Sequence, residues 1–257
     1  PFVSAVMRYN GIATKHWASH LNQDVTSIEF PYIPEETDIQ DYFESLKASN
    51  QAIMLFGDSD CDGTSALAVM RRWFKRAGFT THPICISRTK GYGLNNIIIQ
   101  EYKDKHDVKL LITADCGISN RAEISFAASL GIETIITDHH EPPVDPFDIP
   151  GAKFILHPEI LQVKDLANFS GSGMAYYLVH LLEKRFKTGM DFHAELLPIA
   201  TLGGIGDMTN LKGLHRDFIK LGIRHLRTTN LPGIEALKTI GKVTDVNEEE
   251  MAFKVIP

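Results

Sequence analysis

Short apolar runs alternate with longer stretches of helical period through the middle of the chain. Residues 52–56, 82–86, 108–114 and 133–137 are nearly continuous in apolar character, the pattern of strands buried on both faces. Between them, residues 64–77, 95–105 and 120–130 place apolar side chains at helical spacing. "KFILHP" (153–158) reads as a fifth strand. This alternation predicts an α/β fold: a doubly wound, mainly parallel five-stranded sheet flanked by helices. From residue 171 onward the pattern is mostly helical, with helices expected over 173–186, 192–202, 214–226 and 233–239. The first 50 residues read as a helical and irregular extension ending in "DIQDYFESLKASN", with Asp38 as the N-cap of its helix. The Pro-rich "EPPVDPFDIPG" (141–151) is the one linker-like piece.

The polar residues that follow three of the strands carry the chemistry. "GDSDCDG" (57–63) sets Asp58, Asp60 and Asp62 after the first strand. "ADCG" (114–117) sets Asp115 after the third, and "TDHH" (137–140) sets Asp138, His139 and His140 after the fourth. In an open parallel sheet these ends point the same way, and ligands bind just beyond them. Carboxylates crowded in this way raise one another's pKa unless a cation sits among them. Each motif has an ordinary reading when taken alone. The triple-Asp segment also suits a calcium loop, a phosphate-binding turn or a capped helix start, Asp115 suits an N-cap, and the His pair suits a structural role. Together, at three neighbouring strand ends, they point to metal.

Carboxylates mixed with imidazole and lacking a committed thiolate suit Mn²⁺, Mg²⁺, Fe²⁺ or Zn²⁺. The donors outnumber what one ion needs, whereas two ions about 3.5–4 Å apart would use them in an in-line displacement at phosphorus. Asp207, in "LGGIGDMTNL", is a further candidate ligand or a helix-terminal residue. "GSG" (171–173) opens an apolar helix, so Ser172 and Gly173 either offer backbone N–H groups to a phosphate or allow close packing. "SRTKGYGLN" (87–95) puts Arg88, Lys90 and Tyr92 on the ligand side, where Arg88 could clamp a phosphate and Tyr92 stack on a base. Cys61, if its segment is extended, points away from the neighbouring aspartates.

Composition narrows the class. The 257 residues are 44% hydrophobic, enough for a sizeable core. No apolar run approaches the roughly 18 residues of a membrane span. The net charge of −6 argues against a broad basic surface for duplex binding. Basic clusters at 71–76, 184–187 and 215–227 have the spacing of solvated helix faces. The three cysteines form no CxxC, which argues against a disulfide framework and for a cytoplasmic, intracellular protein.

"GDSDCDG", "TADCGIS", "TDHHEPP" and "SGSGMAYYL", in this order and spacing, resemble the DHH phosphoesterases. Within them they look most like the RecJ-type single-stranded-DNA exonucleases. "SRTKGYGLN" is similar to the family's R-x-x-x-GYGL loop, and "LGGIGDMTNLKGLHR" to its LGTVADVVPLxxxNR segment. The resemblance implies that Asp60, Asp62, Asp115, His139 and Asp207 hold two ions, usually Mn²⁺ or Mg²⁺, with Asp115 bridging and Asp58 joining or orienting the centre. It implies that His140 faces the substrate phosphate, that Asp138 orients a histidine, and that Arg88, Arg216 and the 171–173 turn contact the nucleotide. The implied reaction is 5′→3′ hydrolysis of single-stranded DNA to 5′ mononucleotides, in repair or recombination, with a single-strand binding protein or a helicase as possible partners. Two other readings stay open: a phosphodiesterase of short oligonucleotides or cyclic dinucleotides, and a non-catalytic replication scaffold.

Two departures stand out. Some relatives carry a histidine just before the first aspartates, where this chain has Phe56 and Gly57. "EEEMAFKVIP" looks like a family segment cut after its proline, beyond which RecJ proteins continue into a second, DHH-associated domain. The resemblance thus implies that residues 51–257 form the catalytic DHH domain of a longer protein.

Overall fold

The computed structural model describes residues 2–9, 14, 17, 25–85 and 93–256. Helix α1 spans Phe2–Tyr9 and α2 spans Glu36–Ala48. The α/β part follows: β1 (Ile53–Gly57), α3 (Cys61–Arg76), β2 (Thr81–Cys85), α4 (Asn96–His106), β3 (Leu110–Ala114), α5 (Arg121–Ser129), β4 (Glu133–Thr137) and β5 (Phe154–Leu156). The remainder is helical: α6 (Pro158–Leu161), α7 (Gly171–Phe186), α8 (Phe192–Glu195), α9 (Leu197–Gly206), α10 (Gly213–Thr228), α11 (Pro232–Ile240) and α12 (Glu248–Lys254).

The strands form one parallel sheet in the order β2-β1-β3-β4-β5. Successive side chains alternate between its two faces, as strand geometry requires. Ile53, Leu55, Leu110, Ile112 and Ala114 enter the larger core, while Met54, Phe56 and Leu111 enter a smaller core beneath Ile99 of α4 and Ala127 of α5. The larger core also takes in Ile33, Ile39, Phe43 and Leu46, so packing does not break near residue 50, where the sequence suggests a boundary. Gln40 donates to the Leu181 carbonyl and the Tyr177 hydroxyl donates to that of Pro31, joining the early segment to α7.

Strand order places the reversal of winding between β1 and β3. The chain leaves β1 toward β2 on one side, and β3 leads to β4 and β5 on the other. Such a switch point opens a crevice at the carboxyl ends of the two central strands. The ladder runs one residue past each strand: Asp58 N–H donates to Ala114, Asp115 N–H to Thr137, and Asp138 N–H to Leu156. The three aspartates therefore stand in one row across the sheet.

Several local expectations are corrected. Asp38 lies inside the first turn of α2, whose N-cap position is Glu35. The segment after β1 is helical from Cys61 rather than extended, and the Cys61 thiol faces the Leu202 carbonyl at 3.7 Å. The expected helix over 192–202 is broken at Leu196, because Pro198 opens a new helix and Asp191 already caps the first. α6 and α12 were not read from the pattern. All three cysteines are free thiols, and among the described residues no helix is long and apolar enough to cross a membrane.

Candidate metal centre

Asp62 is held by backbone N–H groups from a distant helix. It sits in the first turn of α3, which Asp60 caps by accepting from Gly63 N–H at 2.9 Å. The Asp62 carboxylate is buried and accepts from Gly171 N–H at 2.6 Å and Ser172 N–H at 3.0 Å. The N-terminus of α7 thus holds a carboxylate of its own chain. The same physics had suggested a phosphate there. For Ser172 and Gly173 this arrangement matches the close-packing alternative rather than a phosphate contact. Both are buried, the Ser172 hydroxyl donates to the Ala200 carbonyl at 2.9 Å, and Gly173 N–H donates to Ser170 Oγ at 3.3 Å. No backbone N–H of residues 171–173 is left for a substrate.

Asp115 follows β3 in the left-handed region, with φ of 62°. The turn continues through Gly117, with φ of 115°, where a β-carbon would strike the Thr113 side chain. This turn aims the Asp115 carboxylate across the crevice. Its Oδ1 lies 3.1 Å from His139 Nε2, which lies 3.4 Å from Asp207 Oδ2 and 3.8 Å from Asp62 Oδ2. Asp207 arrives from the C-terminal end of α9, where its N–H donates to Gly203. Asp115 Oδ1, His139 Nε2 and Asp207 Oδ2 are buried and have no hydrogen-bond partner.

Two groupings have donor atoms close enough to share an ion: Asp62 with His139 and Asp207, and Asp115 with His139 and His140. His139 belongs to both. Burial and mutual repulsion push these acids toward their neutral forms. Asp115 is raised to about 10 by burial and by the charges of Asp62 and Asp60. Asp62 is raised by burial and by Asp207, despite the N–H groups it accepts, and burial raises Asp207. Asp60 caps a helix and is exposed, yet its charge is felt at both Asp115 and Asp207. Asp58 accepts from Ser59 N–H at 2.6 Å and enters neither grouping.

Asp138 is built differently. It is buried, and its carboxylate accepts from the N–H groups of Ile118 (2.9 Å), His139 (2.7 Å) and His140 (3.2 Å). It also meets His140 Nδ1 at 2.8 Å. Bonding to His140 and these amides holds its pKa down against burial. In return Asp138 raises His140 to about 9, which favours the imidazolium form of the half-exposed ring, with Nδ1–H facing Asp138. Arg216, in the first turn of α10, is half-buried and its Nε has no hydrogen-bond partner. Arg88 and Tyr92 lie outside the described residues.

Three further residues shape the centre, of which only Gly171 lay in a motif noted in the sequence. A β-carbon on Gly171 would overlap the Asp115 carboxylate, and one on Gly203 would come within 2.5 Å of Asp62 Oδ1. His157, at the end of β5, contacts the backbone of His140. The doubled glycine of "LGGIGD" was the visible signal for Gly203 and the "GSG" turn that for Gly171; His157 had none.

Residues 52–203 match the DHH family, N-terminal domain. The chain belongs to the DHH family. It is 32% identical over 224 residues to the single-stranded-DNA-specific exonuclease RecJ of Bacillus subtilis, covering 84% of this chain and 27% of that protein. RecJ of Thermus thermophilus is 31% identical over 220 residues, 83% of this chain and 31% of its own length. The chain therefore spans about a third or less of these two relatives. Among solved structures, a manganese-bound exonuclease RecJ superposes with a TM-score of 0.78 at 27% identity, over 90% of this chain and 58% of that one. The DHH fold is thus shared with an exonuclease crystallised with manganese.

Proposed function

We propose that this DHH domain is the catalytic core of a divalent-metal-dependent phosphodiesterase that removes 5′ mononucleotides from single-stranded DNA, working 5′→3′. The observation that carries the reading is the meeting of Asp115 Oδ1, His139 Nε2 and Asp207 Oδ2, three buried atoms without hydrogen-bond partners in a pocket of raised carboxylate pKa values. Unpaired buried polar atoms are costly, and a group that repays them is expected. Carboxylate and imidazole donors without thiolate fit Mn²⁺ or Mg²⁺. Asp62, Asp115, His139 and Asp207 would hold such ions, with Asp60, Asp58 and His140 beside them. Bound there, they supply Lewis acidity and a water of lowered pKa.

The chain's own residues do the positioning. Gly171 and Ser172 N–H groups fix Asp62, so one carboxylate cannot swing away when charge changes around it. Asp138 locks the His140 ring by its Nδ1 proton and leaves Nε2 as the remaining donor. A cationic donor of this kind suits the non-bridging oxygens of a phosphodiester as negative charge grows on them. The identity to RecJ exonucleases supports a single-stranded DNA substrate.

The test is hydrolysis of 5′-labelled single-stranded DNA and of a dinucleotide, with Mn²⁺ and with EDTA. Metal-dependent release of the 5′ mononucleotide from the long strand is expected. Cleavage of the dinucleotide alone would move the substrate to short oligonucleotides, and failure to bind any divalent ion would sink the enzymatic reading.

A pH dependence follows for the metal-free protein. Burial and the neighbouring carboxylates raise Asp115 to about 10 from an ordinary 3.8, so this group costs stability as pH rises between those values. His140 contributes stability that is complete below 6.5 and lost as pH rises through about 9. Both slopes have the same sign. The melting temperature of the metal-free protein is expected to fall from pH 6.5 to 9. Saturating Mn²⁺ is expected to flatten that slope while raising the whole curve, since a cation replaces the proton. Differential scanning fluorimetry across pH checks both.

A further inference from the structure

The ladder that lines up Asp58, Asp115 and Asp138 has a fourth member. Thr137 pairs with Leu156, so the residue after Leu156 lies beside Asp138. That residue is His157, wholly buried at the end of β5. Its Nδ1 accepts from Glu159 N–H at 3.2 Å, capping α6. The ring nitrogen that accepts cannot carry the proton, so the proton is on Nε2. Nε2 lies 2.7 Å from the carbonyl oxygen of His140 and donates to it.

We infer that His157 is a positioning residue for His140, clamping its backbone while Asp138 clamps its ring. The two contacts fall on either side of one residue. Asp138 takes the His140 N–H and Nδ1–H, and His157 takes its C=O. With N–H, C=O and ring all engaged, the imidazole has one donor left and a narrow range of positions for it. His140 immediately precedes the Pro-rich loop (141–151), so this bond fixes the last carbonyl before it. A cap for the four-residue α6 needs only an acceptor, and Ser, Asp or Asn would serve. A neutral imidazole with its proton on the far nitrogen spans from that cap to the His140 carbonyl.

The inference rests on the proposed hydrolysis, and its test separates the two contacts. His157→Gln keeps an amide N–H near the place of Nε2 and loses the cap. His157→Ser keeps the cap and cannot reach His140; His157→Thr stands in if the serine variant does not fold. On the single-stranded DNA substrate with Mn²⁺, His157→Ser is expected to lower kcat by about 10-fold or more at unchanged KM and metal affinity. His157→Gln is expected to stay within about 3-fold of the wild type, even with a lower melting temperature. A purely structural role predicts the reverse, with activity following the cap and the melting temperature, and that result would overturn the assignment. The carbethoxylation rate of His140, read by mass spectrometry, supplies a measure independent of turnover. It should rise in the serine variant and not in the glutamine variant. If the wild-type chain hydrolyses nothing, the hydrolytic reading fails, and equal His140 reactivity in all three proteins would then reject the positioning role by itself.

Discussion

Asp115→Asn is expected to cut hydrolysis by about 10³-fold or more while making the metal-free protein more stable. Asn has the shape of Asp and is among the few residues that tolerate the left-handed backbone held here, φ 62°. Alanine would add backbone strain to the lost ligand and blur the result. The substitution removes a carboxyl that burial, Asp62 and Asp60 force toward its neutral form, a proton uptake that costs folding free energy at neutral pH and that an amide does not need. It also places an amide opposite His139 Nε2, an atom without a hydrogen-bond partner. Folding therefore gains. Metal binding loses, because Asp115 shares the His139–His140 grouping and no other carboxylate does. Melting temperature, bound metal and turnover, measured on one preparation, should move in opposite directions. A variant that keeps its metal and its activity would remove Asp115 from the centre. One that loses activity by losing stability would make it an ordinary structural residue.

The stability–activity opposition marks which parts of this molecule the sequence could announce. The sheet was legible because β1, β3 and β4 are buried on both faces and so consist of apolar runs of strand length. The acids were legible because the runs stop abruptly at Gly57, Ala114 and Thr137 with Asp at the next position each time. Their gathering followed from parallel topology alone. The 171–173 turn was ambiguous in the sequence for a physical reason. A helix N-terminus selects an anion but not its source, and here the anion is the Asp62 side chain, 109 residues earlier in the chain. The break at Leu196 was hidden because the apolar pattern runs through it and only Pro198 betrays the restart. His157 gave no signal, since a lone histidine after a strand is more often a satisfied core group, and its partner is a backbone carbonyl. What a close-packed glycine packs against is equally silent, because the atom that matters is one the residue lacks.

That silence underlies the second large effect: Gly171→Ala is expected to lower turnover and metal affinity by about 10²-fold or more, with a much smaller change in folding. Gly171 is the first residue of α7, and its N–H holds Asp62 Oδ2 at 2.6 Å. A β-carbon there would overlap Oδ1, Cβ and Cγ of Asp115. Asp115 cannot retreat along the backbone, because its N–H is tied to Thr137 and the Gly117 turn follows. Either the start of α7 shifts and releases Asp62, or the Asp115 side chain rotates away from His139. Each route displaces a carboxylate, and displacement of about 1 Å at a reacting centre costs about 10²-fold. Folding is affected less, because the strain falls on the start of α7 and the Asp115 side chain at the crevice rather than on the apolar core. Gly203→Ala should act similarly through Asp62, whose Oδ1 would lie 2.5 Å from the new carbon. Gly233→Ala, in α11 with nothing within 4 Å of the added carbon, is the control and should leave both properties unchanged. Calorimetric metal titration and turnover on the three variants separate the mechanisms. Wild-type metal affinity in a folded Gly171→Ala protein would mean that the carboxylates adjust without cost, and that the close packing of α7 against Asp115 has no part in holding the centre.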